Sequence, residues 1–140
     1  MLKVGVLGAG HLGKIHLRLL NQSEKYELVG FYDAFEENAN KVAAEFGYKK
    51  FDSIAELIAA VDVVDIVTPT MQHFECAKQV IEAGKHIFIE KPISNTVEEA
   101  EEIIALAKKH NVKGQVGHVE RFNPAFTAVK DKINNPMFIE

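Results

Sequence analysis

Three glycines interrupt the chain directly after its first apolar run. The stretch VGVLGAGHLGKIH covers residues 4–16 and places Gly8, Gly10 and Gly13 where a predicted strand gives way to a predicted helix. Glycine in such a position costs about 0.5–1 kcal/mol relative to alanine, so another interaction must compensate for it. A ligand that requires close approach of the main chain would provide that compensation, and this requirement limits the folds the chain can adopt.

Asp33 strengthens this interpretation. It ends the next predicted strand and lies 20 positions after Gly13 (33 − 13), which is the spacing of the dinucleotide-binding fingerprint. Its carboxylate would accept hydrogen bonds from the adenosine ribose and would repel a 2′-phosphate. Ala34 and Phe35 follow, so no arginine is present there to neutralise such a phosphate. NAD is therefore favoured over NADP, although Lys41 could swing in, and a helix-capping role for Asp33 is the alternative.

Each glycine has its own expected role. Gly8 allows the tight turn, Gly10 leaves room for the pyrophosphate, and Gly13 lets the helix pack against the sheet. The free N–H groups at the start of the helix, at His11 and Leu12, would bind the phosphates. We expect His11 to contribute its main chain rather than its ring.

Apolar, β-branched runs alternate with helical patterns along the rest of the chain. Strands are predicted at residues 2–7, 27–33, 61–67, 86–90 and 112–119. Helices are predicted at residues 11–20, 36–46, 71–83, 96–109 and 124–133, with a short one after the capping-box pattern at 53–56. This alternation predicts an α/β fold with a doubly wound, mainly parallel sheet and helices on both faces, the Rossmann arrangement.

Composition narrows the classes of function. The chain has 140 residues, of which 47% are apolar, as expected for one domain with a substantial core. The net charge is −4 and no basic block is present, which argues against nucleic-acid binding. No stretch approaches the roughly 20 apolar residues of a membrane span. Cys76 is the single cysteine, which fits a cytoplasmic protein and a small core residue, and the spacing of the six histidines does not suggest a metal site.

Three later stretches carry a second set of motifs: TPTMQH at 68–73, GKHIFIEKP at 84–92 and GHVERFNP at 117–124. Together with GAGHLGKIH, and in this order, they resemble the Gfo/Idh/MocA family of oxidoreductases over essentially the whole chain. The resemblance implies hydride transfer between a nicotinamide cofactor and a sugar, cyclitol or related hydroxyl-bearing small molecule. The alternatives are a nucleotide-binding or regulatory module without chemistry, and a reductase of a non-sugar substrate such as a tetrapyrrole or an imine.

The resemblance gives Lys91 the catalytic role. The matching lysine of the family lies beside the nicotinamide and the substrate hydroxyl, and Lys91 follows a predicted strand at the sheet edge where open α/β folds bind ligands. A cation there would stabilise developing alkoxide character. Glu90 and Pro92 are assigned to the cofactor site as well, with Glu90 reaching a cofactor ribose or capping a neighbouring helix. A surface lysine at the end of a strand is the alternative for Lys91.

The resemblance also assigns the loop after the third predicted strand. Thr68, Pro69 and Thr70 would lie along the pyrophosphate and the nicotinamide ribose, and Thr70 is in addition a natural N-cap for the following helix. His73 would lie near the cofactor, with a capping or packing role as the alternative. His16 matches a family position one turn into the first helix, where we expect a packed histidine rather than a catalyst.

The end of the chain is expected to face a second domain. The family carries a second α/β domain that supplies most of the substrate pocket, and it tends to form homo-oligomers. We expect residues 1–120 to be the dinucleotide-binding domain and 121–140 to be a border helix and the start of a substrate domain absent from this chain. Arg121 and Asn123 would contact substrate, or Arg121 would pair with an acid of the other domain. A piece of this length should bind cofactor without turning over.

Overall fold

The first apolar run forms an inner strand of a five-stranded parallel sheet. The computed structural model describes residues 1–132. Its strands are β1 (Leu2–Leu7), β2 (Tyr26–Tyr32), β3 (Val63–Ile66), β4 (His86–Ile89) and β5 (Gly114–Val116). They lie in the order β2-β1-β3-β4-β5, and every neighbouring pair is parallel.

Helices connect the strands throughout the described part of the chain. The α-helices are α1 (His11–Asn21), α2 (Glu36–Phe46), α3 (Ile54–Ala60), α4 (His73–Glu82), α5 (Val97–Lys109) and α6 (Pro124–Val129). Short 3-10 turns occupy Thr70–Gln72, Val119–Phe122 and Lys130–Lys132. No helix within residues 1–132 is both long enough and apolar enough to cross a membrane.

The alternation of side chains along the strands creates two cores. Val6 of β1 packs with Leu17 of α1 and Val42 of α2, whereas the next residue, Leu7, packs in a second cluster with α3, α4 and α5. Therefore α1 and α2 cover one face of the sheet, and α3, α4 and α5 cover the other. This confirms the predicted doubly wound α/β fold.

The strand order changes direction at β1, which has β2 on one side and β3 on the other. In an open α/β sheet, a crevice forms at such a point beyond the carboxyl ends of the strands, because the connecting loops diverge there. The loops after β1, β2 and β3 are the segments that meet at this edge. The fold thus brings the glycine loop, Asp33 and the loop at residue 68 to one place.

Predicted and observed elements differ mainly at their ends. The predicted strands 61–67 and 112–119 are each longer than the observed ones, because Val61 is the C-cap of α3 and the ladder of β5 ends before Gly117. The predicted strands 27–33 and 86–90 and helices 11–20 and 36–46 agree with the structure to within one residue at each end.

The predicted helix at 71–83 is wrong at its start. Pro69 is followed by a 3-10 turn in which Gln72 N–H donates to the Pro69 carbonyl at 2.8 Å, and α4 begins only at His73. Thr70 is therefore not the N-cap of this helix; Gln72 holds that position without a side-chain hydrogen bond. The physical reason is that the tighter turn uses the residues that would otherwise form the first helical turn.

The last described segment lies apart from the sheet. Residues 121–132 are exposed, and α6 packs mainly on the 3-10 turns that flank it. The predicted helix 124–133 is observed as α6 followed by the 3-10 turn Lys130–Lys132. Residue 133, the turn predicted at 134–136 and the strand start predicted at 137–140 lie outside the described residues.

Replacing Thr96 by alanine should lower the free energy of unfolding by about 1 kcal/mol. Thr96 caps α5 through a complete capping box, in which its hydroxyl accepts from Glu99 N–H and the Glu99 carboxylate accepts from Thr96 N–H. Urea denaturation measures the change. The matched control is Thr127→Ala on exposed α6, which should change stability by less than about 0.5 kcal/mol; equal losses in both variants would contradict the capping role.

Candidate functional site

A cleft of about 800 Å³ opens where the strand order reverses. Its walls come from the ends of β1, β2 and β3, from the first turns of α1 and α2, and from one side of α4. Of the residues assigned to the cofactor from sequence, those lining it are Gly8, Gly10, His11, Leu12, Gly13, Asp33, Thr68 and Pro69. The glycine loop, Asp33 and the loop at residue 68 are thereby brought to one cleft.

Two of the three loop glycines are required by the protein itself. Gly8 has a φ of +95°, and a Cβ there would lie 2.8 Å from the Val67 carbonyl oxygen. At Gly13 a Cβ would lie 2.0 Å from the Gly8 carbonyl oxygen, so this contact, rather than one with a strand side chain, sets the distance between α1 and the loop. Side chains at these two positions would displace the main chain.

Gly10 is different. Its φ of −66° and ψ of −162° are open to any residue, and an added Cβ would meet no atom within 4 Å. Nothing in the described structure forbids a side chain at this position, yet Gly10 lines the cleft. A small residue here is consistent with a ligand whose approach a side chain would block.

The start of α1 presents free donors to the cleft. Gly10 is its N-cap and provides no side-chain cap, and the first N–H that returns to the loop is that of Lys14, which donates to Gly10 O at 3.0 Å. The N–H groups of residues 10–13 have no hydrogen-bond acceptor among residues 1–132. Free N–H groups and the positive end of the helix dipole favour an anion at this position.

Asp33 is held by main-chain donors at the far side of the loop. Its Oδ2 accepts from Ala9 N at 2.7 Å and its Oδ1 accepts from Phe35 N at 2.8 Å. Asn38 of α2 donates both to this carboxylate at 3.0 Å and to Ala9 O at 3.1 Å, and so ties the acid to the glycine loop. An ionised carboxylate has about four acceptor positions, so a hydroxyl group can still be bound. Asp33 is not the N-cap of α2, because Phe35 occupies that position.

His73 joins two loops. The residue is 1% exposed, with Nδ1 2.8 Å from Pro92 O and Nε2 2.9 Å from Thr68 O. A neutral imidazole donates to one of these carbonyls and a doubly protonated ring donates to both. His73 therefore packs behind the cleft and does not line it. The Thr68 hydroxyl is buried and has no hydrogen-bond partner of good geometry among the described residues.

The remaining predicted site residues lie outside the walls of the cleft. Those that do not line it are Thr70, His73, Glu90, Lys91 and Pro92. Lys91, two residues beyond the end of β4, is exposed, and Glu90 is 6% exposed. Asn123 caps α6 by accepting from Ala125 N at 2.9 Å and donates to Glu120 Oε2 at 2.8 Å, while Arg121 is exposed.

A buried cluster of charged groups lies under α1. The sequence did not lead us to expect this cluster. His16 Nδ1 is 2.8 Å from Asp65 Oδ2, and His16 Nε2 is 3.4 Å from Glu90 Oε1. The Glu90 carboxylate also accepts from Lys91 N at 3.1 Å through Oε2. Asp65 Oδ1 is buried without a partner among residues 1–132. The packing role expected for His16 is thus accompanied by an ionic one.

The cluster shifts the protonation of its members. Hydrogen bonding to Asp65 raises the pKa of His16, against the opposing effect of burial, because the nearby carboxylate favours the imidazolium. Burial raises the pKa of Asp65, because it disfavours the charged form. A charged residue inside the apolar strand VVDI was the available signal for this cluster, since a buried carboxylate needs a partner.

Other cleft residues were also missed. The walls include Tyr32, Asn38 and Ile54, and, from the 3-10 turn and α4, Met71, Gln72, Glu75, Cys76 and Gln79. Cys76 is 5% exposed within the core, which confirms the expected small core residue, and burial raises the pKa of its thiol. Within residues 1–132, no group of three or more metal-ligating side chains could hold a metal ion.

The sheet order, the glycine loop and the Asp33 carboxylate held beside that loop define a dinucleotide-binding domain of the Rossmann class. Residues 2–118 match the model of the Gfo/Idh/MocA oxidoreductase family, described as an NAD-binding Rossmann fold. The chain belongs to this family.

The chain is similar to three dehydrogenases whose identity and coverage can be compared with it. A UDP-N-acetylglucosamine 3-dehydrogenase from Acidithiobacillus ferrooxidans is 37% identical over 99% of this chain and 44% of its own length; its solved structure gives a TM-score of 0.87 over 94% of this chain and 43% of that one. An inositol 2-dehydrogenase from Rhizobium meliloti is 35% identical over 95% of this chain and 41% of its own length.

The third is the structure of a scyllo-inositol dehydrogenase from Lactobacillus casei with bound NAD(H) and scyllo-inositol. It is 29% identical, with a TM-score of 0.84, over 94% of this chain and 40% of that chain. The chain thus spans less than half the length of each of these three proteins.

The stability contributed by His16 should fall as the pH rises. Since its pKa in the folded chain lies above the unfolded value of 6.5, the contribution is complete below that value and is lost as the pH passes through the folded-state pKa. The stability difference between the wild type and His16→Gln, measured by urea denaturation, should therefore shrink as the pH rises above about 6.5. A constant difference would contradict the charged pair; His110→Gln, at the C-cap of α5, is the matched histidine control.

Proposed function

We propose that the cleft binds NAD with the diphosphate on the N–H groups of residues 10–13. The observation that carries this proposal is Gly10, whose lack of a side chain has no explanation in the described protein atoms and is explained by a ligand lying against it. Free donors at a helix start and an open cleft of about 800 Å³ fit a dinucleotide.

Asp33 would hold the adenosine ribose and set the preference for NAD over NADP. The carboxylate is fixed by three donors and keeps acceptor capacity for hydroxyl groups. A depression next to it is lined by Glu36 and Glu37 as well as Lys41. Two carboxylates beside one lysine leave a 2′-phosphate in a net negative environment, which supports the preference.

At the other end of the cleft, the loop at Thr68 and Pro69 would lie along the diphosphate and nicotinamide ribose. Both residues line the cleft, whereas the Thr68 hydroxyl oxygen itself is buried, so the surface that this loop would offer to the cofactor is not its hydroxyl. His73 would act from behind by holding this loop against Pro92.

We further propose that the whole protein catalyses hydride transfer at a hydroxyl-bearing carbon of a sugar or cyclitol. The dehydrogenases to which the chain is similar act on a nucleotide sugar or on inositols, as their names state. NAD supplies the hydride chemistry when bound, and the protein orients the reacting groups and manages charge.

Lys91 would provide the cation beside the substrate oxygen. It follows β4 at the carboxyl edge of the sheet and its side chain is exposed, so it can reach a substrate that a further part of the protein places there. An ammonium group at this position stabilises alkoxide character and can exchange a proton with the hydroxyl. Arg121 and Asn123, on the exposed segment after β5, would contribute to substrate binding.

We place the boundary of the cofactor domain near residue 120, because the segment that follows is exposed and packs mainly on itself. For the whole protein we propose a cytoplasmic homo-oligomer, in line with the single buried cysteine and with the resemblance.

Gly10→Ala and Gly13→Ala should separate binding from folding. Gly10→Ala should keep the free energy of unfolding within about 1 kcal/mol and weaken NAD binding about tenfold or more, because the methyl group stands in the diphosphate position. Gly13→Ala should instead destabilise the fold, because its Cβ would lie 2.0 Å from Gly8 O. Calorimetric titration with NAD and NADP, together with urea denaturation, measures both effects; unchanged NAD affinity in Gly10→Ala would overturn the proposal.

Lys91→Met in the whole protein should lower kcat by about 100-fold or more, while the Kd for NAD changes less than about threefold. The reason is that the cation acts on the reacting oxygen and not on the cofactor phosphates. Steady-state kinetics and titration with NAD measure the two quantities. Lys109→Met, at the end of α5, is the matched control, and equal losses of turnover and NAD affinity in Lys91→Met would contradict the assigned role.

A further inference from the structure

The cluster of His16, Asp65 and Glu90 connects the phosphate-binding helix to the main chain of Lys91. His16 lies on α1, Asp65 lies in the middle of the sheet on β3, and Glu90 follows β4. The contacts run from Asp65 Oδ2 to His16 Nδ1 at 2.8 Å, from His16 Nε2 to Glu90 Oε1 at 3.4 Å, and from Glu90 Oε2 to Lys91 N at 3.1 Å. One side chain thus bridges two carboxylates that have no other cation in contact among residues 1–132.

The burial of the two acids makes this bridge important. Asp65 is 4% exposed and Glu90 is 6% exposed, so each carboxylate depends on protein partners rather than on water. Asp65 Oδ1 has no partner among the described residues, and the hydrogen bond from His16 is the one that its other oxygen receives. Without a charged His16, the two acids would be buried close to each other with little compensation.

Gly117 explains why the Glu90 carboxylate stays in place. A Cβ at Gly117 would lie 2.6 Å from Glu90 Oε1, so the glycine leaves the space that the carboxylate occupies. The Gly117 N–H donates to Ile89 O at 2.8 Å, which fixes this glycine beside the end of β4. The carboxylate is therefore enclosed between His16 on one side and the main chain of Gly117 on the other.

We propose that His16 is a positioning residue for Lys91: by holding the Glu90 carboxylate, it fixes the main chain from which the Lys91 side chain extends, and it couples this residue to the cofactor helix α1. The inference rests on the proposed role of Lys91. His16 does not line the cleft and does not touch the proposed NAD site, so its effect on Lys91 is separable from NAD binding.

Other titratable groups near His16 must be distinguished from it. The acids that contact His16 are Asp65 from β3 and Glu90 from the end of β4. The groove of about 720 Å³ beside α1 is also lined by Tyr26, His86 and Lys113. His86 is the other histidine of this groove, and its Nδ1 accepts from Lys113 N at 3.1 Å. A variant of His86 is therefore the matched control.

The direct test is a pH titration of the ¹⁵N-labelled chain by NMR, with the Lys91 amide as the reporter. In the wild type, the Lys91 amide shift should follow the same midpoint as the His16 ring. In His16→Gln this transition should disappear, while the Kd for NAD changes less than about threefold. His86→Gln should leave the transition in place. A Lys91 amide that does not respond to His16, or a response abolished by His86→Gln instead, would overturn the inference.

Gly117→Ala provides a second route that keeps His16 and both acids. Its methyl group should displace the Glu90 carboxylate and remove the pH response of the Lys91 amide, even if His16→Gln fails to fold. In the whole protein, either variant should lower kcat about tenfold and leave the KM for NAD nearly unchanged. If the wild type does not bind NAD, the proposed function itself is contradicted. The two failures are therefore distinguishable.

Discussion

The contact between Gly13 and the Gly8 carbonyl is the constraint on which the site depends. Because residue 13 has no side chain, α1 can begin directly against the turn that follows β1. The first turn of the helix then lies at the edge where the strand order reverses, and its N–H groups open into the cleft. A helix that started farther away would leave the same donors facing water, without a wall on the opposite side.

Asp33 completes this arrangement from the neighbouring strand. Its two oxygens bind the main chain on both sides, at Ala9 and at Phe35, and Asn38 joins the acid to the loop again. The loop and the acid are thus one preorganised unit, and little rearrangement is needed when a ligand binds. Preorganisation of this kind reduces the entropic cost of binding.

Much of this could be predicted from the sequence. Helix α2 and the capping box at Thr96 were predicted because glycine, threonine and glutamate act locally at helix ends. The spacing of the glycines and Asp33 placed them in one cleft because the Rossmann connectivity is nearly invariant. Residues such as Asn38 and Glu75 were missed because their placement depends on how α2 and α4 pack, which no local pattern encodes.

The cluster under α1 was missed for a related reason. His16, Asp65 and Glu90 are far apart in sequence and meet only when α1 packs over β3 and the end of β4. The predicted start of α4 was wrong because a 3-10 turn follows Pro69 and uses the residues that would otherwise form the first helical turn. The fold is thus more predictable than the polar contacts between its elements.

Titration of the ¹⁵N-labelled chain with NAD, followed by NMR, tests the central claim most directly. We expect the largest amide shifts at residues 10–13 and at the neighbours of Asp33, with saturation at one NAD per chain. Shifts confined to the groove beside α1, around Leu19 and Phe88, with residues 10–13 unchanged, would contradict the claim that the free N–H groups of α1 hold the diphosphate.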